Sequence, residues 1–131
     1  MQIILDTNAL MVPEQFGVDI FGELARLGYV VWIVPLSVKR ELAFLADRAD
    51  KGADKVAARI ALGLAEHCLA ANEDAAEANV DADTAIERLA QSSGAAVFTN
   101  DKALKKRLFS KGITVIYLRQ GRYLETTKKE Y

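Results

Sequence analysis

The chain has 131 residues, 51% of them hydrophobic and 27% charged, with a formal net charge of −1. That is enough apolar material for one substantial core and does not require a second domain, while the near-neutral balance excludes a polyanion binder driven by charge alone. Cys68 is the only cysteine, which excludes an intramolecular disulfide and a zinc-knuckle spacing, and the absence of a basic leader or long apolar segment leads to the expectation of a soluble cytoplasmic protein.

In chain order, residues 3–6 read as a short buried strand, and residues 20–27 as a helix stopping at Gly28. Residues 29–34 are near-continuously apolar, as a strand covered on both faces would be. Ser37 is placed to cap a helix running to about Asp47, and residues 53–70 carry Val56, Ile60 and Leu64 at helical spacing. A polar turn at 72–79 leads to a helix over 83–92 closed by Gly94, then a strand at 95–99. A helix over 102–110 ends near Gly112, and a last β-rich strand spans 113–118. Strand and helix alternate, with no internal repeat. This predicts an α/β fold: one domain over 1–131, three layers (α/β/α) around a central parallel sheet of four to five strands, and a polar C-terminal tail from about 119.

Charge is unevenly distributed. Before position 101 there are 8 Lys/Arg against 15 Asp/Glu; from Asp101 onward there are 9 against 3. The basic end is suited to holding phosphates without reading sequence, and equally to a solvated helix face around Lys105, Lys106 and Arg107 followed by a polar tail.

Four acidic residues stand where an α/β domain passes from strand to helix: Asp6, Glu41, Asp83 and Asp101. In an open parallel sheet such places converge on the crevice beyond the carboxyl ends of the strands. Each also has an ordinary explanation: Asp83 and Asp101 as helix caps or first-turn acids, Thr84 with Glu87 as a capping box, and Glu41 as half of a surface ion pair. Asp6 is different, because it follows directly on a buried strand, where a lone charge needs partners such as the neighbouring Thr7 and Asn8. Carboxylates gathered without a matching cation are costly, which makes a divalent metal their natural occupant. His67 and Cys68 lack further partners of their kind and read as packing or surface residues.

The ordered set Ile-Ile-Leu-Asp6-Thr7-Asn8, Val38 to Glu41-Leu42, Asp83-x-x-Ile86 to Leu89-Ala90, and Thr99-Asn100-Asp101 followed by Leu104-Lys105 and Gly112 resembles the PIN domain of metal-dependent nucleases. The match runs over about residues 1–118. The resemblance implies that Asp6, Glu41, Asp83 and Asp101 are catalytic metal ligands and that Thr7, Asn8, Thr99 and Asn100 support them. Asp81 competes with Asp83 for the third acidic place, and Asp83 is preferred because it stands three residues before Ile86. The cofactor implied is one or two Mg²⁺ or Mn²⁺ ions. The reaction implied is endonucleolytic hydrolysis of RNA leaving a 5′-phosphate, with Lys102, Lys105 and Lys106 as RNA-binding candidates.

Within that resemblance two roles stay open. One is the toxin of a toxin–antitoxin pair, with an antitoxin as partner. The other is a processing nuclease acting on ribosomal RNA precursor assemblies, to which the stretch 79–86 leans. A non-cleaving RNA-binding scaffold is the alternative from another class. A phosphotransfer receiver fits poorly, since Glu41 falls inside a helix and Asp101 follows Thr-Asn. The segment 53–70 carries apolar residues over more than one face, as a homodimer pairing such helices would require.

Overall fold

A computed structural model of the chain describes residues 1–71 and 80–127. Strand β1 (Gln2–Leu5) leads into helix α1 (Thr7–Phe16), then α2 (Ile20–Arg26), β2 (Val31–Pro35), α3 (Leu36–Arg48) and α4 (Gly52–Ala65). Next come β3 (Leu69–Ala71), α5 (Ala82–Ser93), β4 (Ala96–Phe98), α6 (Lys102–Ser110), β5 (Val115–Arg119) and β6 (Tyr123–Thr126). The polar turn expected at 72–79 lies outside the described residues.

The sheet has six strands in the order β3-β2-β1-β4-β5-β6. All neighbours are parallel except β6, which pairs antiparallel with β5. The α/β architecture with a mostly parallel central sheet is therefore as the sequence implied, extended by two edge strands. Its centre is buried on both faces: Ile3, Ile4, Leu5, Val97 and Phe98 are fully inaccessible. Each such side chain stabilises the fold by about 1.5–3 kcal/mol relative to its exposed state.

One helix is added to the sequence reading and three local expectations are corrected. Helix α1 (Thr7–Phe16), for which the sequence reading had no element, continues through Pro13 and stops at Gly17 in the left-handed conformation, φ 67°. Proline suggests a break, but burial of Ala9, Leu10, Met11 and Val12 outweighs it. Helix α3 begins at Leu36 with Pro35 in the capping position, so Ser37 lies inside the helix. Helix α4 ends at Ala65 rather than Ala70, because residues 69–71 turn back to pair with β2. Ala-rich sequence favours helix intrinsically, and the sheet edge overrides that preference. Finally, within the tail expected from about 119, residues 123–126 form the hairpin strand β6, with Leu124 buried, while residues 128–131 lie outside the described ones.

The chain moves from β1 outward to β2 and β3, then returns to place β4 on the other side of β1. The crevice beyond the carboxyl ends of β1 and β4 is therefore the topological switch point, where open α/β sheets hold ligands. Register fixes what stands there. Leu5 pairs with Phe98, and the Asp6 amide donates to the Phe98 carbonyl at 3.0 Å, so Asp6 and Thr99 leave the sheet side by side.

Candidate active site

Asp6 forms the floor of the crevice. It is buried, and within the described residues its carboxylate accepts from the Thr7 amide (2.8 Å), the Asn8 side-chain amide (3.0 Å) and the Thr99 hydroxyl (2.7 Å). A carboxylate offers about four lone-pair sites, so roughly one remains. Burial pushes its pKa up, the Thr99 and Thr7 hydrogen bonds oppose that shift, and the negative charges of Glu41 and Asp101 push it further up. Among the described residues no cationic side chain hydrogen-bonds the Asp6 carboxylate.

The other three acids face Asp6 from separate elements. Glu41, exposed on α3, accepts from the Thr7 hydroxyl at 3.0 Å, so one threonine joins it to Asp6 through amide and hydroxyl. Asp101 caps α6 through the Leu104 amide at 2.9 Å, while its own amide donates to the Thr99 hydroxyl oxygen at 3.2 Å. Asp83 is half-buried in the first turn of α5, and its pKa is raised by burial first and then by the charges of Asp6, Asp101 and Asp81. Electrostatic coupling therefore runs between Asp6 and each of the other three. Asp81 does something else: exposed, it caps α5 by accepting from the Thr84 amide at 2.7 Å, and that bond holds its pKa low.

The supporting residues divide by what they hold. Asn8 bridges Asp6 and the next loop, because its oxygen accepts from the Asn100 amide at 2.8 Å. Asn100 anchors that loop to β5, its side-chain oxygen accepting from the Leu118 amide at 2.8 Å. Thr99, fully buried, is common to Asp6 and Asp101.

A clamp that the sequence reading did not foresee joins two helices of the site. Glu87, buried on α5 one turn beyond Asp83, receives Arg107 at 2.8 Å and Lys111 at 2.7 Å, both from the α6 end of the chain. Arg107 also reaches the Thr84 hydroxyl at 3.4 Å. This clamp joins α5, which carries Asp83, to α6, which Asp101 caps. It holds the Glu87 carboxyl at about 2, well below its ordinary 4.5, chiefly through the Arg107 hydrogen bonds and then Lys111. Its sequence signal was Glu87 four residues after Asp83, on the same helical face. The capping box proposed for Thr84 and Glu87 does not form, since Asp81 is the cap and Glu87 is paired elsewhere.

The donor set suits a hard divalent cation: carboxylate oxygens from four elements, two of them with raised pKa values, and no lysine or arginine hydrogen-bonded to Asp6 among the described residues. Within those residues no three acidic, histidine or cysteine side chains already stand together as a closed metal cage. A divalent cation would relieve the repulsion that Asp6 and Asp83 experience from their acidic neighbours. Asp6 and Asp83 supply a sheltered side, Glu41 and Asp101 an exposed rim through which a large substrate can approach. A cavity of about 690 Å³ lies at the other end of the sheet, beside Met1, Ala96 and Gly112, away from all four acids. Cys68 is half-buried with its thiol pushed up to about 11 by burial, which fits an inert packing role. No helix among the described residues is long and apolar enough to cross a membrane.

Comparison with known proteins agrees with this geometry. A family model described as a PIN like domain matches residues 3–121. Ribonuclease VapC9 of Archaeoglobus fulgidus is 35% identical over 119 residues, spanning 91% of this chain and 84% of that protein. Ribonuclease VapC4 of Methanocaldococcus jannaschii is 34% identical over 127 residues, spanning 95% of each. Among solved structures, the PIN domain endonuclease Utp24 superposes with a TM-score of 0.75 at 24% identity, over 98% of this chain and 92% of that one, a likeness of fold.

Proposed function

The chain belongs to the PIN-like domain family, and on that premise we propose that it is a divalent-metal-dependent endoribonuclease whose centre is Asp6, Glu41, Asp83 and Asp101. The observation that carries this reading is the Asp6 carboxylate: buried, oriented by three hydrogen bonds, and repelled by Glu41 and Asp101 with no cationic partner in the described residues. Evolutionary kinship to two ribonucleases supports the substrate class.

In this proposal the four carboxylates would hold one or two Mg²⁺ or Mn²⁺ ions, which would supply Lewis acidity to activate water and offset charge on the scissile phosphate. The chain's own residues keep the donors in place. Thr7 orients both Asp6 and Glu41, Thr99 spaces Asp6 from Asp101, and the Glu87 clamp fixes α5 against α6 so that Asp83 meets the same crevice. Lys102 and its neighbours follow directly on Asp101 and draw in the phosphate chain. Hydrolysis leaving a 5′-phosphate is the reaction we assign.

Of the two biological roles, the toxin component receives more support, because identity to the VapC ribonucleases is 35% and 34% against 24% for Utp24. An antitoxin is then the expected protein partner. We further place the protein in the cytoplasm as a homodimer. The dimer is supported by helix α4, which buries the alanine stripe Ala57, Ala58, Ala61 and Ala65 but exposes Val56 and Ile60. Sedimentation giving only monomer at micromolar concentration removes the dimer.

The test of the activity is incubation of purified protein with single-stranded RNA and Mg²⁺ or Mn²⁺. Cleavage abolished by EDTA and by Asp101→Asn is the expected result. Cleavage surviving both identifies a contaminant, and metal-independent binding without turnover identifies a scaffold. Growth arrest on expression, relieved by a neighbouring gene product, selects the toxin role over ribosomal RNA processing.

A further inference from the structure

The basic residues of the C-terminal part do not act alike. Arg107 and Lys111 turn inward to Glu87, and Arg119 pairs with Glu125 at 2.6 Å. Lys102, Lys105 and Lys106 have no carboxylate partner among the described residues. Together with Phe109 they occupy positions i, i+3, i+4 and i+7 of α6, one face of the helix, while Leu104 and Leu108 face the core. This stripe begins at the residue after Asp101 and extends about 10 Å along the helix at 1.5 Å per residue.

The stripe borders a groove of about 460 Å³ whose lining is completed by Tyr117 and Thr127. The Tyr117 ring is held in place from two sides. Its hydroxyl donates to Glu125 at 2.8 Å, and the Lys105 ammonium sits 3.5 Å from the ring centroid. Phe109 is 40% exposed, an aromatic surface left open beside the three lysines of the groove. Lysines alone would suit any polyanion. An open phenylalanine beside them adds a requirement for a flat apolar group on the same ligand, and an unpaired nucleotide carries both. In duplex RNA the bases are stacked inside and cannot reach such a surface.

We propose that this groove is a subsite for an unpaired nucleotide flanking the scissile bond, with its base on Phe109 and the Tyr117 wall and its phosphates on Lys102 and Lys106. The assignment rests on the ribonuclease reading and deepens it by saying where a nucleotide beside the scissile bond is gripped: on the α6 side of the carboxylates, in the groove that Phe109 and Tyr117 line. Stacking on one aromatic contributes roughly 1–3 kcal/mol, so its loss is readable as a change of affinity of about 5-fold or more.

The test is binding in EDTA, where no cleavage is expected, of a fluorescent single-stranded RNA octamer to the full chain and to Phe109→Ala. Phe109 is exposed enough for truncation to spare the core. The expected result is at least about a 5-fold loss for Phe109→Ala with the octamer and no loss with an abasic octamer. Changing both Lys102 and Lys106 to Gln is expected to reduce the steepness of the salt dependence by about 1.4, at roughly 0.7 per phosphate contact on a single strand. Equal octamer binding by Phe109→Ala overturns the proposal, as does displacement of RNA by a poly-glutamate peptide with the same dependence on Phe109, which makes the occupant a protein. The two readings fail separately: without the subsite, RNA is still cut with unchanged KM by Phe109→Ala, whereas without the nuclease centre, octamer binding in EDTA still depends on Phe109.

Discussion

The Thr99 hydroxyl donates a 2.7 Å hydrogen bond to Asp6 across 93 residues of sequence, and the same oxygen accepts from the Asp101 amide at 3.2 Å. One buried side chain thereby sets the position of two acids that arrive on different strands. Thr99→Val keeps the shape and removes both bonds. A hydrogen bond to a charged group contributes about 1.5–3 kcal/mol, so denaturant melts should show a loss in that range. Cleavage should fall about 10- to 100-fold, as outer-shell substitutions at metal sites do, and Thr99→Ser should recover most of both. Full activity in Thr99→Val would remove threonine from the site.

Asp81 and Asp83 separate by role. Asp81 caps α5 in the open, and Asp83 feels Asp6 and Asp101. Asp83→Asn is expected to abolish cleavage with the melting temperature kept or raised, because a repelled, half-buried charge is removed. Asp81→Ala is expected to lower the melting temperature while preserving cleavage. The reverse pattern in thermal melts and RNA assays would assign Asp81 to the centre.

The Glu87 clamp gives stability a pH signature. Its carboxyl sits at about 2 in the folded chain against an ordinary 4.5. The unfolded chain therefore binds this proton more readily, so the stabilisation is complete above about pH 4.5 and is lost as the pH falls towards 2. Glu87→Gln should start about 1–2 kcal/mol lower at neutral pH, discounted for the half-exposed Arg107 and Lys111, and should show a flatter decline in acid. A wild-type acid profile identical to that of Glu87→Gln would show the clamp to be energetically silent.

The meeting of Asp6 and Asp101 was legible in the sequence, more so than several of the elements around them. Asp6 and Asp101 could be placed because a buried strand followed by an acid is a local pattern, and the switch-point rule then brings such ends together. Helix α1 and strand β3 were not legible, since Pro13 and an alanine-rich run point locally the other way and only packing decides them. β6 was hidden for a related reason: its partner β5 supplies the reason to be a strand, and the residues alone look polar. Glu87 looked like a cap because its true partners, Arg107 and Lys111, are far along the chain.

The account turns on Asp6 and its neighbours holding a cation. Calorimetric titration of the metal-free protein with Mn²⁺, beside Asp6→Asn, tests this most directly. The expected result is saturable binding of one or two ions by the wild type, weakened by more than about 100-fold in Asp6→Asn, since loss of a direct ligand exceeds the outer-shell effect. Identical titration curves for the two proteins, or no saturable binding in the wild type, would contradict it.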